Sequence, residues 1–324
     1  MREICVNMEY LILILSLAGI VLGADFLVKG AVVVARKCRV SSFVIGAVIV
    51  GIGTSLPELV VSTVGAIGGN SEVAIGNVVG SNIFNVFAIL GLTALFFPIA
   101  VSRENMKFEI PFCIAVSVLL MLLVYNFFVG GEPRLGRWDG AALLLVFTSF
   151  MWISLRRGKS SAAAGGESVE EENKSLWFAA FSILGGLAAL IVSSNFFVDE
   201  AVAIARKLGV SDAFISITLL ACGTSLPELA ASVTAAVKKD TDMALGNIIG
   251  SNIFNVTMIL GTASLITPLT TGKIGLVDYG AMILAAVLPM IFGIRGKITR
   301  FEGLLMLLCY AAYTWYIVTY VMAV

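Results

Sequence analysis

GIGTSLPELVVSTVGAIGGNSEVAIGNVVGSNIFNVFAILG, residues 51 to 91, returns in the same chain as ACGTSLPELAASVTAAVKKDTDMALGNIIGSNIFNVTMILG, residues 221 to 261. Glu58 falls on Glu228, Asn85 on Asn255 and Pro98 on Pro268, all at an offset of 170 without a gap. The match reaches back to Phe26 and Phe196 and to the pairs Arg36–Lys37 and Arg206–Lys207. A repeat of this length makes the chain two copies of one structural unit. Each copy sets Thr, Ser, Pro and Glu inside an apolar run, where charge is costly and ionisable groups mark function.

The surroundings of the repeat define the class. Hydrophobic residues make up 59% of the chain and charged residues 13%, against about 25% charged in a soluble domain. Mean hydropathy is +1.01, and apolar runs of about 20 residues, long enough to cross a bilayer as helices, recur throughout. The chain therefore reads as an all-α polytopic membrane protein. Its net charge is zero, and without a broad basic surface nucleic acid is not an expected partner. It contains no His, so the usual pH switch and the commonest transition-metal ligand are missing. Cys5, Cys38, Cys113, Cys222 and Cys309 are scattered, forming neither a disulfide framework nor a metal motif. The first apolar segment is too long for a cleaved signal peptide and is expected to stay in the protein.

About ten spanning helices are predicted, near Met8–Val28, Ser42–Ile67, Glu72–Phe97, Phe108–Val129, Trp138–Leu155, Leu176–Val198, Asp212–Val237, Met243–Thr267, Leu276–Ile294 and Phe301–Ala323. Five per half is an odd number, so the second half enters the membrane from the opposite side and the two five-helix repeats are inverted. With the N-terminus outside, the inner loops hold 15 Lys and Arg and the outer ones 6. The positive-inside rule then places both termini outside. Matched positions agree: outer Gly68–Gly69 correspond to inner Lys238–Lys239, and inner Lys29 to outer Asp199. Arg156–Ser175, rich in Gly, Ser and Glu, is expected to be a flexible cytoplasmic linker. The organisation is then an N-terminal repeat over 1–155, a linker over 156–175 and a C-terminal repeat over 176–324.

Pro57 and Pro227 break their helices by removing an N–H and crowding the carbonyls of Gly53 and Gly223. A broken helix at membrane depth persists only where it lines a cavity or is buried in protein, and its freed carbonyls are ready cation ligands. A plain kink is the bland reading, against which stands the carboxylate that follows each proline. No Lys or Arg lies within the apolar core of any predicted helix, so Glu58 and Glu228 have no evident ion-pair partner; a protonated, hydrogen-bonded glutamate is the remaining structural reading. Thr54, Ser55, Thr224 and Ser225 precede the acids by three or four residues, which on a helix places them on the glutamate face. The next helix contributes Ser81, Asn82 and Asn85, matched by Ser251, Asn252 and Asn255. Gly76, Gly80, Gly246 and Gly250 allow close helix approach, with Asn85 and Asn255 directed at the acids. Carboxylates, amides, hydroxyls and carbonyls are hard oxygen donors, suited to Ca²⁺ and Na⁺ and unsuited to zinc or copper.

These residues resemble the two α-repeats of the sodium/calcium exchanger family, part of the calcium:cation antiporter superfamily. Its signature, GTSLPE followed by GNxxGSNxxN, is present in both copies. The resemblance implies antiport of Ca²⁺ against several Na⁺ by alternating access. It implies that Glu58 and Glu228 share the Ca²⁺ with help from Thr54 and Thr224. It implies Na⁺ sites using Ser55, Ser225, Ser81, Ser251 and the carbonyls of Gly51 and Ala221, with Asn85 and Asn255 completing the centre. One departure is Asn255, where some relatives, including potassium-dependent branches, carry Asp. The site then holds two formal negative charges rather than three, which argues against potassium co-transport. The large calcium-sensing cytoplasmic insert of eukaryotic relatives is absent, so the chain resembles a prokaryotic exchanger of the inner membrane. No cofactor and a monomeric functional unit are expected. A Ca²⁺/H⁺ antiporter is the alternative within transport, and a cation channel with acidic selectivity the alternative outside it.

Overall fold

The computed structural model describes residues 2–69, 71–127, 131–161, 175–208 and 223–321. These residues form α1 (Arg2–Cys38), α2 (Ser42–Thr54), α3 (Leu56–Ile67), α4 (Ser71–Phe96), α5 (Asn105–Val124), α6 (Arg137–Arg157), α7 (Leu176–Lys207), α8 (Leu226–Val237), α9 (Thr241–Ile266), α10 (Leu276–Gly293) and α11 (Arg300–Thr319). Among the described residues eight helices are long and apolar enough to span a bilayer, or nine with α2 and α3 taken as one broken span. The expected tenth, Asp212–Val237, is present as its second part, α8. Its first part lies outside the described residues, as does most of the Arg156–Ser175 stretch.

Three helices run beyond their predicted ends. α1 reaches Cys38 rather than Val28, and α7 reaches Lys207 rather than Val198. Helix also continues from α6 through Ser161 rather than ending at Leu155, so the start of the expected linker, 156–161, is helical and not flexible coil. The basic pairs Arg36–Lys37 and Arg206–Lys207 thus occupy last helical turns, where the helix dipole favours cations. α1 and α7 pack antiparallel along most of their length, with Gly19 facing Ser193, Gly23 facing Gly186 and Gly30 facing Ala179. A Cβ on Gly186 would stand 2.7 Å from the Gly23 carbonyl, so the contact is a small-residue seam.

The centre of the molecule is α4 and α9. Their apolar windows are 78% and 83% buried, against 39% or less in the other spans. Ile75, Val78, Val79 and Ile83 of α4 and Ile248, Ile249 and Ile253 of α9 are all within 1% of full burial. α9 crosses α2 through Gly246 and Gly250, which lie directly against the backbone of Phe43 and Ala47. No rotamer can relieve a Cβ driven into a carbonyl, so Gly246→Ala is expected to destabilise the fold by about 1–3 kcal/mol. Thermal melting of the purified protein in detergent measures this. Gly185→Ala, on an exposed face with nothing within 4 Å, should melt like the parent, and an equal melting point for Gly246→Ala would refute the tight crossing.

Four two-residue strands reveal the relation between the halves. β1 (Ile99–Ala100) pairs with β4 (Lys297–Ile298), and β2 (Arg134–Leu135) pairs with β3 (Leu269–Thr270), both antiparallel. β1 and β3 are equivalent in the repeat, yet they sit at opposite ends of the spanning helix α5: β1 precedes it, and β3 is bonded to the strand that follows it. The repeats are therefore inverted. Other contacts fall on the same two faces. Ala100 N–H donates to Thr241 Oγ1 at 3.3 Å, beside Lys238 and Lys239, while Ser71 Oγ stands 2.9 Å from Thr270 Oγ1. Loops predicted to share a side of the membrane are thus together.

The seating of α1 and α7 breaks the symmetry. α1 lies along α8 and is joined to its end by Asp25, which pairs with Lys238 at 2.7 Å and with Lys29 at 2.6 Å. The matching positions are Asn195 and Gly68, and α7 makes no comparable packing on α3. On α3, Val60, Val64 and Ile67 are 59%, 62% and 66% exposed.

Candidate cation site

The two TSLPE segments build nearly identical turns. α2 ends at Thr54, and Ser55 leaves helical geometry with φ −85° and ψ 10° before α3 starts. Ser225 has φ −90° and ψ 8° before α8. The chain bends by 46° between α2 and α3. Pro57 and Pro227 sit in first helical turns, where a missing N–H leaves no hydrogen bond unmade. Glu58 and Glu228 follow in the same turns, where the positive end of the helix dipole favours a carboxylate.

The break overrides the helical spacing. Ser55 does not share a face with Glu58; it reaches across the molecule and donates to Glu228 Oε1 at 2.7 Å. Ser225 reciprocates, donating to Glu58 Oε1 at 3.1 Å and lying 3.4 Å from Ser81 Oγ. Both glutamates are buried to 1% exposure or less, and among the described residues neither has a basic partner. Thr54 Oγ1 donates toward Asn247 Oδ1 at 3.2 Å. Ser251 Oγ donates to the Gly51 carbonyl at 3.2 Å, which also accepts from Ser55 N at 3.1 Å. That carbonyl is thus already engaged. Ala221 lies outside the described residues.

Asn85 and Asn255 each begin a π-helical turn, Asn85–Leu90 and Asn255–Ile259, a local widening that is frequent at functional sites. The Asn85 turn packs on α8, which carries Glu228, and the Asn255 turn packs on α3, which carries Glu58.

The oxygens left over carry the chemistry. Oε2 of Glu58 and of Glu228, Oδ1 of Asn85 and of Asn255, and Oγ1 of Thr224 are buried without a hydrogen-bond partner. Buried polar atoms are almost always paired, and an acceptor with no donor is what an oxygen-seeking cation requires. Asp278, also buried, shows the structural contrast: its oxygens accept from Gly275 N and Tyr313 OH, both at 2.8 Å. The donor set fits the hard cations expected from the sequence.

Two residues that hold the acids were not singled out in the sequence. Asn77 Nδ2 donates to the Glu58 carbonyl at 3.3 Å and to Ser62 Oγ at 3.0 Å. Asn247 Nδ2 does the same to the Glu228 carbonyl at 3.2 Å and Ser232 Oγ at 2.8 Å. Each brace ties α4 or α9 to the helix of its own acid. The available signal was an Asn within an apolar run, repeated at the offset of 170.

Inverted helical repeats, a broken helix with a matching turn before α8, and buried acids facing each other across the repeats define a secondary membrane transporter, not an enzyme. The family described as sodium/calcium exchanger protein matches residues 8–156 and 178–319, and the chain belongs to that family. The sodium/calcium exchanger MaX1 of Methanosarcina acetivorans is 34% identical over 342 residues, covering 95% of this chain and 98% of that one. The inner membrane protein YrbG of Escherichia coli is 33% identical, covering 86% of each. Among solved structures the sodium-calcium exchanger NCX_Mj, soaked with Na⁺ and without Ca²⁺, superposes with a TM-score of 0.82 at 32% identity, over 97% of this chain and 99% of that one. The protein is thus a multi-pass membrane antiporter of the exchanger family, with prokaryotic relatives.

Proposed function

We propose that this chain exchanges Ca²⁺ for Na⁺ by alternating access at the site between the repeats. The observation that carries the proposal is the reciprocal set of partnerless oxygens on Glu58, Glu228, Asn85 and Asn255. In this reading Glu58 and Glu228 share the Ca²⁺, with Thr54 and Thr224 alongside. Na⁺ takes positions among Ser55, Ser225, Ser81, Ser251 and the carbonyls of Gly51 and Ala221. Ser55 and Ser225 then turn their hydroxyl protons away from the glutamates, and Gly51 accepts the ion in exchange for one of its present donors. No cofactor takes part, and one chain suffices. MaX1 and NCX_Mj are named as sodium/calcium exchangers, which supports Na⁺ as the coupling ion. The decisive experiment is Ca²⁺ flux with and without trapped Na⁺.

The lopsided seating of α1 and α7 supports alternation. Inverted repeats allow a second arrangement in which α7 seats on α3 as α1 now seats on α8, closing the other face. The Asp25–Lys238 pair exists in only one of the two. Lys238→Met is therefore expected to favour the arrangement closed on the α3 face, and fluorescence labelling of a cysteine at Val64 should slow. Unchanged labelling would separate this ion pair from the access equilibrium.

The face bearing Lys238, Lys239 and Arg295–Arg300 is taken as cytoplasmic by the positive-inside rule, leaving both termini outside an inner membrane. Segment 156–175 then links the halves, 1–155 and 176–324, from inside. A cysteine at Ser168 is expected to resist an impermeant thiol reagent applied to intact cells and to react in inverted vesicles. Labelling from outside would reverse the orientation.

A further inference from the structure

Four asparagines meet where α4 and α9 cross, and their hydrogen bonds can be read in only one direction. Asn82 Nδ2 donates to the backbone carbonyl of Asn252, and Asn252 Nδ2 to the backbone carbonyl of Asn82, both at 3.1 Å. A backbone carbonyl only accepts, so each amide must face it with nitrogen. That choice leaves Oδ1 of Asn82 and of Asn252 as acceptors for their other neighbours. Asn85 Nδ2 donates to Asn252 Oδ1, and Asn255 Nδ2 to Asn82 Oδ1, both at 3.0 Å. With their nitrogens committed, Asn85 and Asn255 present Oδ1 alone, and those are two of the buried partnerless oxygens. Reversing either amide would set oxygen against oxygen and turn an NH₂ group to where the free oxygen now stands.

We infer, resting on the assignment of Asn85 and Asn255 to the cation site, that Asn82 and Asn252 are positioning residues that fix the polarity of the site. Their place is in the ring: each Oδ1 already accepts from an asparagine of the opposite repeat and each Nδ2 is anchored on a backbone carbonyl, whereas the partnerless oxygens belong to Asn85 and Asn255. Each acts through the asparagine of the opposite repeat: Asn252 of α9 orients Asn85 of α4, and Asn82 of α4 orients Asn255 of α9. The backbone carbonyls anchor the chain of orientation, and the anchors lie on the opposite half. Separation of α4 from α9 would therefore release both amides together. The ring fixes the amide oxygens toward a cation while contributing no charge, so the net charge of the empty site comes from Glu58 and Glu228.

A double-mutant cycle tests this. Equilibrium binding of ⁴⁵Ca²⁺ to the purified full chain is measured for Asn252→Leu, Asn85→Ala and the double variant, and for the same pair with Asn82→Leu in place of Asn252→Leu. An outer residue that orients a metal ligand is worth about 10–100-fold in affinity. Asn252→Leu is expected to lose affinity in that range alone and almost none on the Asn85→Ala background. Asn82→Leu, which acts through Asn255, should keep its full effect on that background. A general loosening of the helix crossing would not distinguish the two partners. Equal losses on both backgrounds, or parent-like affinity for Asn252→Leu, would overturn the inference. Parent-like affinity for Asn85→Ala itself would instead overturn the ligand assignment on which it rests. If leucine prevents folding, judged by size-exclusion and melting, Asn252→Ser shortens the side chain without adding bulk and carries the same cycle.

Discussion

Glu58→Gln and Glu228→Gln are each expected to abolish Ca²⁺ transport while leaving the protein folded. In the proposed site each carboxylate supplies half of the charge that balances a divalent ion. A carboxylate about 4 Å from a divalent cation is worth about 8 kcal/mol of Coulomb attraction at an effective dielectric constant of about 20. The relief of not burying the bare carboxylate offsets several kcal/mol of this. A remaining loss of about 3 kcal/mol is more than a hundredfold in affinity. The fold is spared because glutamine keeps an oxygen that accepts from Ser225 or Ser55, now bonded at 3.1 and 2.7 Å. Without Ca²⁺ the variants should melt at or above the parent, since a buried unpaired charge has been removed. Added Ca²⁺ should raise the melting point of the parent, through its preference for the folded state, and leave the variants unmoved. Uptake of ⁴⁵Ca²⁺ by liposomes containing either variant at a rate near the parent would remove these residues from the site.

What the sequence could and could not say follows from the range of each interaction. The offset of 170 exposed the two units, an expected odd number of spans per half pointed to inversion, and proline before glutamate inside an apolar run marked the break. These features are local or periodic. The partner of Ser55 was not legible, because its helix face is undefined once the backbone leaves helical geometry at φ −85° and ψ 10°. Its hydrogen bond to Glu228 depends on how α2 and α9 cross at Gly246 and Gly250. The same holds for Asn77 and Asn247: each was visible as a polar residue in an apolar helix, but the carbonyls they brace are 19 positions away in the chain. The extended ends of α1 and α7 were hidden for a different reason. Lys and Arg were read as loop residues, whereas in a last turn they complement the helix dipole and extend toward the interface.

Ion exchange rather than leak is the expected behaviour of this site, and the reason is electrostatic. Empty, it holds two buried carboxylates with no basic partner among the described residues, beside amides that present oxygen rather than nitrogen. Passing between the two access states in that condition would carry the charge through the least polar part of the protein, at a desolvation cost of several kcal/mol per ion. One Ca²⁺ cancels the charge, and so do two Na⁺, so loaded states should interchange and the empty state should not. Ca²⁺ uptake into liposomes is therefore expected only when Na⁺ is trapped inside, and replacement of internal Na⁺ by choline should reduce it to the level of protein-free liposomes. If the Na⁺ charge moved exceeds that of one Ca²⁺, uptake exports positive charge, and an inside-positive potential set with K⁺ and valinomycin should accelerate it. The competing chemistry is a proton on each glutamate in place of Na⁺, which would neutralise the empty site equally well. It predicts uptake driven by an acidic interior with no Na⁺ present. Flux of equal size under a pH gradient alone would therefore defeat sodium coupling and assign protons as the returning ion, while a site emptied by Glu58→Gln and Glu228→Gln together would distinguish both from an unspecific leak.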